Sequence, residues 1–294
     1  MAKTCLRSID VVASGGDIYR LLDGNISKYN WSQPTGWVVL DDNPATVQLA
    51  ACFSDPALYQ LHSDGTIWQY EGIPITGWAT IDTNPRSVQI QAAGVSGGSQ
   101  LYQVHQDGSI WNLYGPTWTM DDSNPATKQI VVATTVGGTQ LYQLHGDGTI
   151  WKNTGPGISG WQLVDNNPAA VLIAAAAYDL YELHRDGTIW KYQGTPLTGW
   201  QMLDNNPAAV SIAAAPIDGP PNPWTTSSLY QLHNDGSIWK YTGPPLSGWQ
   251  KLDDNPGSVQ IVTDNTQDVL YQVHSDGTIW LYKGPPLTGW QLLS

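Results

Sequence analysis

The stretch Leu58-Tyr59-Gln60-Leu61-His62-Ser63-Asp64-Gly65-Thr66-Ile67-Trp68 decides the fold, because it returns almost unchanged at Leu101, Leu141, Leu180, Leu229 and Leu270. A weaker copy begins at Ile18. The tyrosine of each copy falls at 19, 59, 102, 142, 181, 230 and 271, so seven units follow one another at intervals of 39 to 49 residues. A period of about 40 residues matches one four-stranded propeller blade.

Reading outward from the quoted phrase, each unit divides into four short strands. In the unit around Leu180, the first strand is small and apolar, Val171-Leu172-Ile173-Ala174-Ala175-Ala176. Leu180-Tyr181-Glu182-Leu183-His184 is the second, and Thr188-Ile189-Trp190-Lys191-Tyr192 the third. Asp186-Gly187 joins them, a hairpin signal because glycine tolerates the positive φ of the tight primed turns. A Pro/Gly loop leads to the fourth strand, Trp200-Gln201-Met202-Leu203, and Asp204-Asn205-Asn206-Pro207 turns the chain into the next unit.

The expected fold is therefore all-β, a single β-propeller domain over 1–294 with seven four-stranded blades. Their approximate limits are 7–43, 44–84, 85–124, 125–167, 168–206, 207–255 and 256–294. Small first-strand residues fit the crowding around a propeller axis. No stretch holds a helical period over ten or more residues. Closure with six blades and an open solenoid are the competing architectures, but neither end carries a polar capping unit. The last unit ends on its own fourth strand, so closure without strand exchange is expected. Pro216 to Ser228 is read as an inserted surface loop.

The 25 acidic against 12 basic side chains, a net charge of −13, exclude the basic footprint that nucleic acid and anionic membranes require. No apolar run is long enough to cross a bilayer as a helix. Two cysteines, Cys5 and Cys52, support no disulfide framework. With no signal-like apolar segment near Met1, the expected location is cytoplasmic, or outside the cell by an unconventional route. Fifteen Trp and 14 Tyr against one Phe favour rings with a polar tip over plain core aromatics, which suits ligand stacking.

The first unit acts as an internal control. It keeps Tyr19, Asp23-Gly24, Gly36-Trp37 and Asn43-Pro44, so those positions read as scaffold. It lacks the pairs His62/Trp68, His105/Trp111, His145/Trp151, His184/Trp190, His233/Trp239 and His274/Trp280, which hold every histidine of the chain. A blade forms without the pair, so the pair is the candidate ligand-binding element. Indole faces stack on the C–H faces of a pyranose, and imidazole or carboxylate groups meet its hydroxyls. The turn aspartates Asp64, Asp107, Asp147, Asp186, Asp235 and Asp276 are candidates for ligand contact or for capping their own hairpins. In an up-and-down blade this turn should approach the Asp-Asn-Pro link, forming a cleft between blades.

The Tyr-Gln-Leu-His-x-Asp-Gly-Thr-Ile-Trp-Lys-Tyr and Gly-Trp-Gln-x-Leu-Asp-Asn-Asn-Pro phrases resemble fungal fruiting-body propeller lectins specific for terminal N-acetylglucosamine, over nearly the whole chain. Tachylectin-type propellers are a looser parallel. The resemblance implies a multivalent lectin without cofactor or metal, whose partners are glycans with terminal sugars, and a role in defence. It fixes neither the contact residues nor an oligomeric state. Three units depart from the pattern: the first lacks the pair, the third shortens to Tyr114-Gly115-Pro116-Thr117-Trp118, and the fourth has Asn153 for the third-strand tyrosine.

Competing signals are weak. Gly94-Val95-Ser96-Gly97-Gly98 matches a nucleophile elbow, but that needs a following helix. Histidines one blade apart make no metal cluster. Near-identical units argue against a single catalytic cleft, so no enzyme is expected. The alternative function is a propeller scaffold for protein–protein interaction.

Overall fold

The structure, a computed structural model, describes residues 9–32, 36–53, 58–95, 98–135, 137–155, 157–217 and 226–294. It contains 28 strands in seven four-stranded antiparallel sheets, with no helix among the described residues. In blade 1 these are β1 (Ile9–Ser14), β2 (Asp17–Leu22), β3 (Asn25–Tyr29) and β4 (Trp37–Asp41). Each sheet follows chain order from inner to outer strand. The inner strands β1, β5 (Thr46–Ala51), β9 (Ser87–Val95), β13 (Thr127–Thr135), β17 (Ala170–Ala176), β21 (Ala209–Pro216) and β25 (Ser258–Thr263) touch in sequence, and β25 meets β1. The protein is thus a closed seven-bladed propeller. Of the 216–228 insertion, residues 218–225 lie outside the described residues.

The core lies between blades, not within them. Tyr181, Leu183 and Ile189 of blade 5 pack on Ala209, Ile212 and Ala214 of blade 6, and the same pattern recurs around the ring. A narrow axial cavity of about 200 Å³ is lined by Ala133, Ala174, Ala175 and Ala214. Larger side chains on these strands would fill it, which accounts for the alanine-rich inner sequences. The second-strand tyrosines are buried throughout, from Tyr19 at 3% exposure to Tyr271 at 1%.

Glutamine side chains stitch the inner strands together. Gln48 accepts from the Ile90 amide and donates to its carbonyl, Gln89 does the same at Ile130, and Gln129 at Ile173. An amide carries one donor and one acceptor group, so it reproduces a backbone pair across the blade gap.

A bulge in the fourth strand of blades 1 to 6 does the outer stitching. Ile67 pairs with Asp82 and Trp68 with Thr80, so Ile81 drops out of the ladder. The equivalent residues Leu40, Val164, Leu203 and Asp121 are left with a carbonyl outside the ladder, and those of Leu40, Val164 and Leu203 also accept an amide from the next blade's loop. That carbonyl accepts the indole N–H of the next blade's Gly-Trp tryptophan: Trp78 on Leu40, Trp161 on Asp121, Trp200 on Val164 and Trp249 on Leu203. Blade 3 breaks the rule. Its shortened loop leaves Trp118 Nε1 buried without a partner.

Closure uses no exchanged strand: β28 (Trp290–Leu293) pairs within its own blade, as β1 does. Asp264, fully buried, accepts from the amides of Gly15 and Gly16 across the seam. Ser14 Oγ donates to Asn265 Oδ1 at 2.6 Å, and Trp37 Nε1 donates to the Leu293 carbonyl at 3.0 Å.

Candidate ligand-binding clefts on the turn face

The hairpin between second and third strands builds the same small network in six blades. In blade 3 the Ser109 amide and hydroxyl both donate to Asp107 Oδ1, at 3.0 and 2.6 Å. Ser109 Oγ in turn accepts the Trp111 indole N–H at 3.0 Å. Asp64–Thr66–Trp68, Asp147–Thr149–Trp151, Asp186–Thr188–Trp190 and Asp276–Thr278–Trp280 repeat the whole chain of bonds. In blade 6, Ser237 links Asp235 by its amide and Trp239 by its hydroxyl.

Each histidine lies under its tryptophan. The pairs His62–Trp68, His105–Trp111, His145–Trp151, His184–Trp190, His233–Trp239 and His274–Trp280 have ring centroids 5.6 to 5.8 Å apart and planes 25° to 30° apart. The imidazoles are 4% to 7% exposed, whereas the indoles are half-buried. One indole face is thus covered by histidine. Burial holds the His62, His105, His145 and His233 rings below the usual imidazole range, against the pull of the nearby turn aspartates.

The turn aspartates are exposed, and hydrogen bonds from the Thr or Ser two residues on hold them below the usual carboxylate range. They cap their hairpins through Oδ1, and Asp107 Oδ2 lies 3.6 Å from Arg86 Nη1. The capping role expected of these residues is thus realised.

Two links clamp the turns of blades 2 to 6. On the incoming side, Ser63 N donates to Ala45 O and Gln106 N to Arg86 O, both at 2.8 Å. On the outgoing side the turn glycine abuts the next Asn-Pro: a Cβ on Gly65, whose φ is +87°, would stand 2.5 Å from the Pro85 carbonyl carbon. Only glycine suits both the angle and the contact. The expected approach of turn and link is realised, and in blade 3 it leaves a cleft of about 610 Å³. Asn84 and Arg86 wall one side, Ser123 and Pro125 the other, with His105, Asp107, Ser109 and Trp111 between.

Two elements were not singled out in the sequence. The Thr or Ser after Asp-Gly is the hub joining carboxylate and indole, and its signal was its presence in all six phrases and replacement by Asn25 in the first. The residue paired across from each tryptophan also varies, through Thr80, Met120, Leu163, Met202, Lys251 and Leu292. Met120 lines the blade 3 cleft, and Lys251 Nζ stands 5.2 Å from the Trp239 ring centroid. The six hairpins therefore share a frame and differ at this facing position. In blade 1, Ser27 is buried and stands where the other blades carry the tryptophan, so no His–Trp pair forms. Gly94 and Gly98 flank a β-hairpin, not an elbow before a helix, and Ser96 lies outside the described residues. Among the described residues no three His, Cys, Asp or Glu side chains gather to hold a metal.

No protein-family model and no curated protein matches the chain. Solved structures do. Prp20p of Saccharomyces cerevisiae superposes with a TM-score of 0.61 at 12% identity, over 86% of this chain and 80% of that one. YCF48 of Cyanidioschyzon merolae gives 0.62 at 13%, over 95% and 96%. The WD40 β-propeller domain of Doa1 gives 0.59 at 12%, over 96% and 90%. At such identities the likeness establishes the propeller fold.

Proposed function

We propose that this propeller is a multivalent carbohydrate-binding protein, with no catalytic role, that takes terminal sugars in the clefts of blades 2 to 7. The observation that carries the reading is the sixfold repetition of one assembly: an indole backed by a buried histidine, beside a fixed, ionised carboxylate. A pyranose presents an apolar face to the first and hydroxyls to the second. Each cleft offers one turn carboxylate, whereas glycoside hydrolysis uses two, about 5–10 Å apart. Repetition serves avidity on dense arrays, where linked weak sites gain roughly 10²–10⁴ over one. The sequence resemblance makes terminal N-acetylglucosamine the first sugar to try.

A second reading, a scaffold for protein–protein interaction, draws its support from the structural likenesses. The Prp20p structure is described together with its binding to Gsp1p and histones. These likenesses add weight to the scaffold and none to sugar binding. A glycan array followed by calorimetry separates the two. Saturable binding at several sites per chain supports the lectin, and a blank array rejects it.

A further inference from the structure

We propose that the centre of the turn face docks a cationic segment of another protein, which places an apolar side chain among the exposed valines at the starts of the inner strands. This goes beyond sugar binding in the outer clefts: it rests on the exposed valines near the axis, and shares His105 and the turn aspartates with the clefts.

The observation begins with a second bulge. Thr46 pairs with His62 and Gln48 with Leu61, so Val47 is left out of the ladder and stands 46% exposed. The same slip isolates Val88, Val210 and Val259, at 52%, 51% and 53% exposure. Lys128 and the half-buried Val171 occupy the position in the other two bulged strands. Neither the core nor the blade joints explain these valines, since Leu49 fills the core and Gln48 makes the joint. Bulges re-aim side chains and recur beside functional sites.

Val47, Val88 and Lys128 line one open cavity of about 820 Å³ with Asp10, His105 and Gly108, which puts the valines and the hairpin turns on one face. Exposed apolar groups on rigid strands, rimmed by polar ones, mark interaction surfaces. The rim is acidic. All seven hairpin turns carry an exposed aspartate, from Asp23 to Asp276, and Asp42 and Asp254 add to them from the links. Opposing charges on this face come from Arg86, Lys128, Arg185 and Lys251, the last drawn over Trp239.

An apolar hub inside an acidic rim complements a partner with the reverse pattern, a Leu-, Ile-, Met- or Phe-bearing tip flanked by Lys or Arg. A second copy of this chain, at a net charge of −13, would bring like charges together. The valines stand on strands already paired within their blades, which lowers the entropic cost of binding.

Selection from a phage-displayed library of random short peptides tests this, with the intact chain as bait and Val88→Ser/Val210→Ser as the counter-bait. Both positions are exposed, and an unchanged thermal unfolding transition of the double variant would show that its fold is intact. The expected result is enrichment of apolar residues flanked by Lys or Arg. The best peptide should bind about tenfold more weakly to the double variant and lose affinity with added salt. No enrichment over the counter-bait overturns the proposal. So does enrichment of basic peptides that ignore the valine changes, which would show bulk attraction to an acidic surface. The sugar-binding reading stands or falls separately, on the array.

Discussion

His184 Nε2 lies 2.9 Å from Glu182 Oε1, a contact that the other five histidines of the set do not make. In those blades a glutamine stands at the place of Glu182, and the histidine Nε2 is buried without a partner. Thr188 Oγ1 donates to Asp186 and accepts from Trp190, so its remaining lone pair takes a proton from His184 Nδ1. Nε2 and Glu182 Oε1 then share one proton in a buried hydrogen bond. A carboxyl at this place can carry a proton that the glutamine of the other blades cannot.

Burial, with Asp165 close by, pushes the Glu182 carboxyl up to about 7, although the bond to His184 pulls the other way. The folded state keeps a proton that the unfolded chain releases near 4.5. Stability from this group is thus full below about pH 4.5 and falls as pH rises toward 7, by on the order of 3 kcal/mol. Glu182→Gln restores the residue of the other blades and should abolish that loss. Denaturant unfolding of both proteins between those limits checks this. A stability difference independent of pH would show that Glu182 does not titrate there.

Trp190→Ala should lower sugar stoichiometry by about one site in calorimetry while the remaining clefts keep their affinity. Removing a half-buried indole also costs about 3 kcal/mol of stability. If the variant unfolds instead, the tryptophan is core and the site assignment is withdrawn. Thr188→Val gives a finer reading. It leaves the indole in place but removes the hydroxyl that orients it, so affinity at one site should fall without loss of the site.

Trp200→Phe and Trp118→Phe form a matched pair. Both shorten a fourth-strand ring, but only Trp200 loses a hydrogen bond, that to the Val164 carbonyl. Trp200→Phe should cost about 1 kcal/mol more than Trp118→Phe, since the freed carbonyl loses a donor while Trp118 has no partner to lose. Chemical denaturation of the two variants measures the difference, and equal costs would remove the outer joint from the account of stability.

Much of the blade was legible because its determinants are local. Asp186-Gly187 makes a turn wherever it lies, and Ala174 to Ala176 announce a crowded axis by size alone. The joints were not legible, because their partners sit one blade away. Gln48 reads as an ordinary polar strand residue until Ile90 is placed opposite, and the carbonyl that Trp78 uses exists only because a bulge frees Leu40. Glu182 looked like a conservative exchange for glutamine. Its consequence depends on Asp165 and His184 being buried with it. The exposed valines lost their meaning in the alternating pattern of a strand, since a bulge changes which way a residue faces.

The seam supplies the sharpest test of how the ring holds. Asp264 accepts from Gly15 N at 3.2 Å, Gly16 N at 2.8 Å, and the Thr266 amide and hydroxyl at 2.8 and 2.6 Å. It is fully buried, so Asp264→Ala leaves several donors without acceptors in a dry place. The expected loss is about 3 kcal/mol. It should appear first as faster hydrogen exchange at the Gly15 and Gly16 amides and in β1, with the blades opposite the seam still protected. Asp264→Asn keeps one acceptor oxygen and should fall between the two. If exchange instead rises evenly around all seven blades, Asp264 is not the clasp. Closure would then rest on the apolar contact of Val11 and Ile18 with Val273 and Leu281, and on the bond from Trp37 to Leu293.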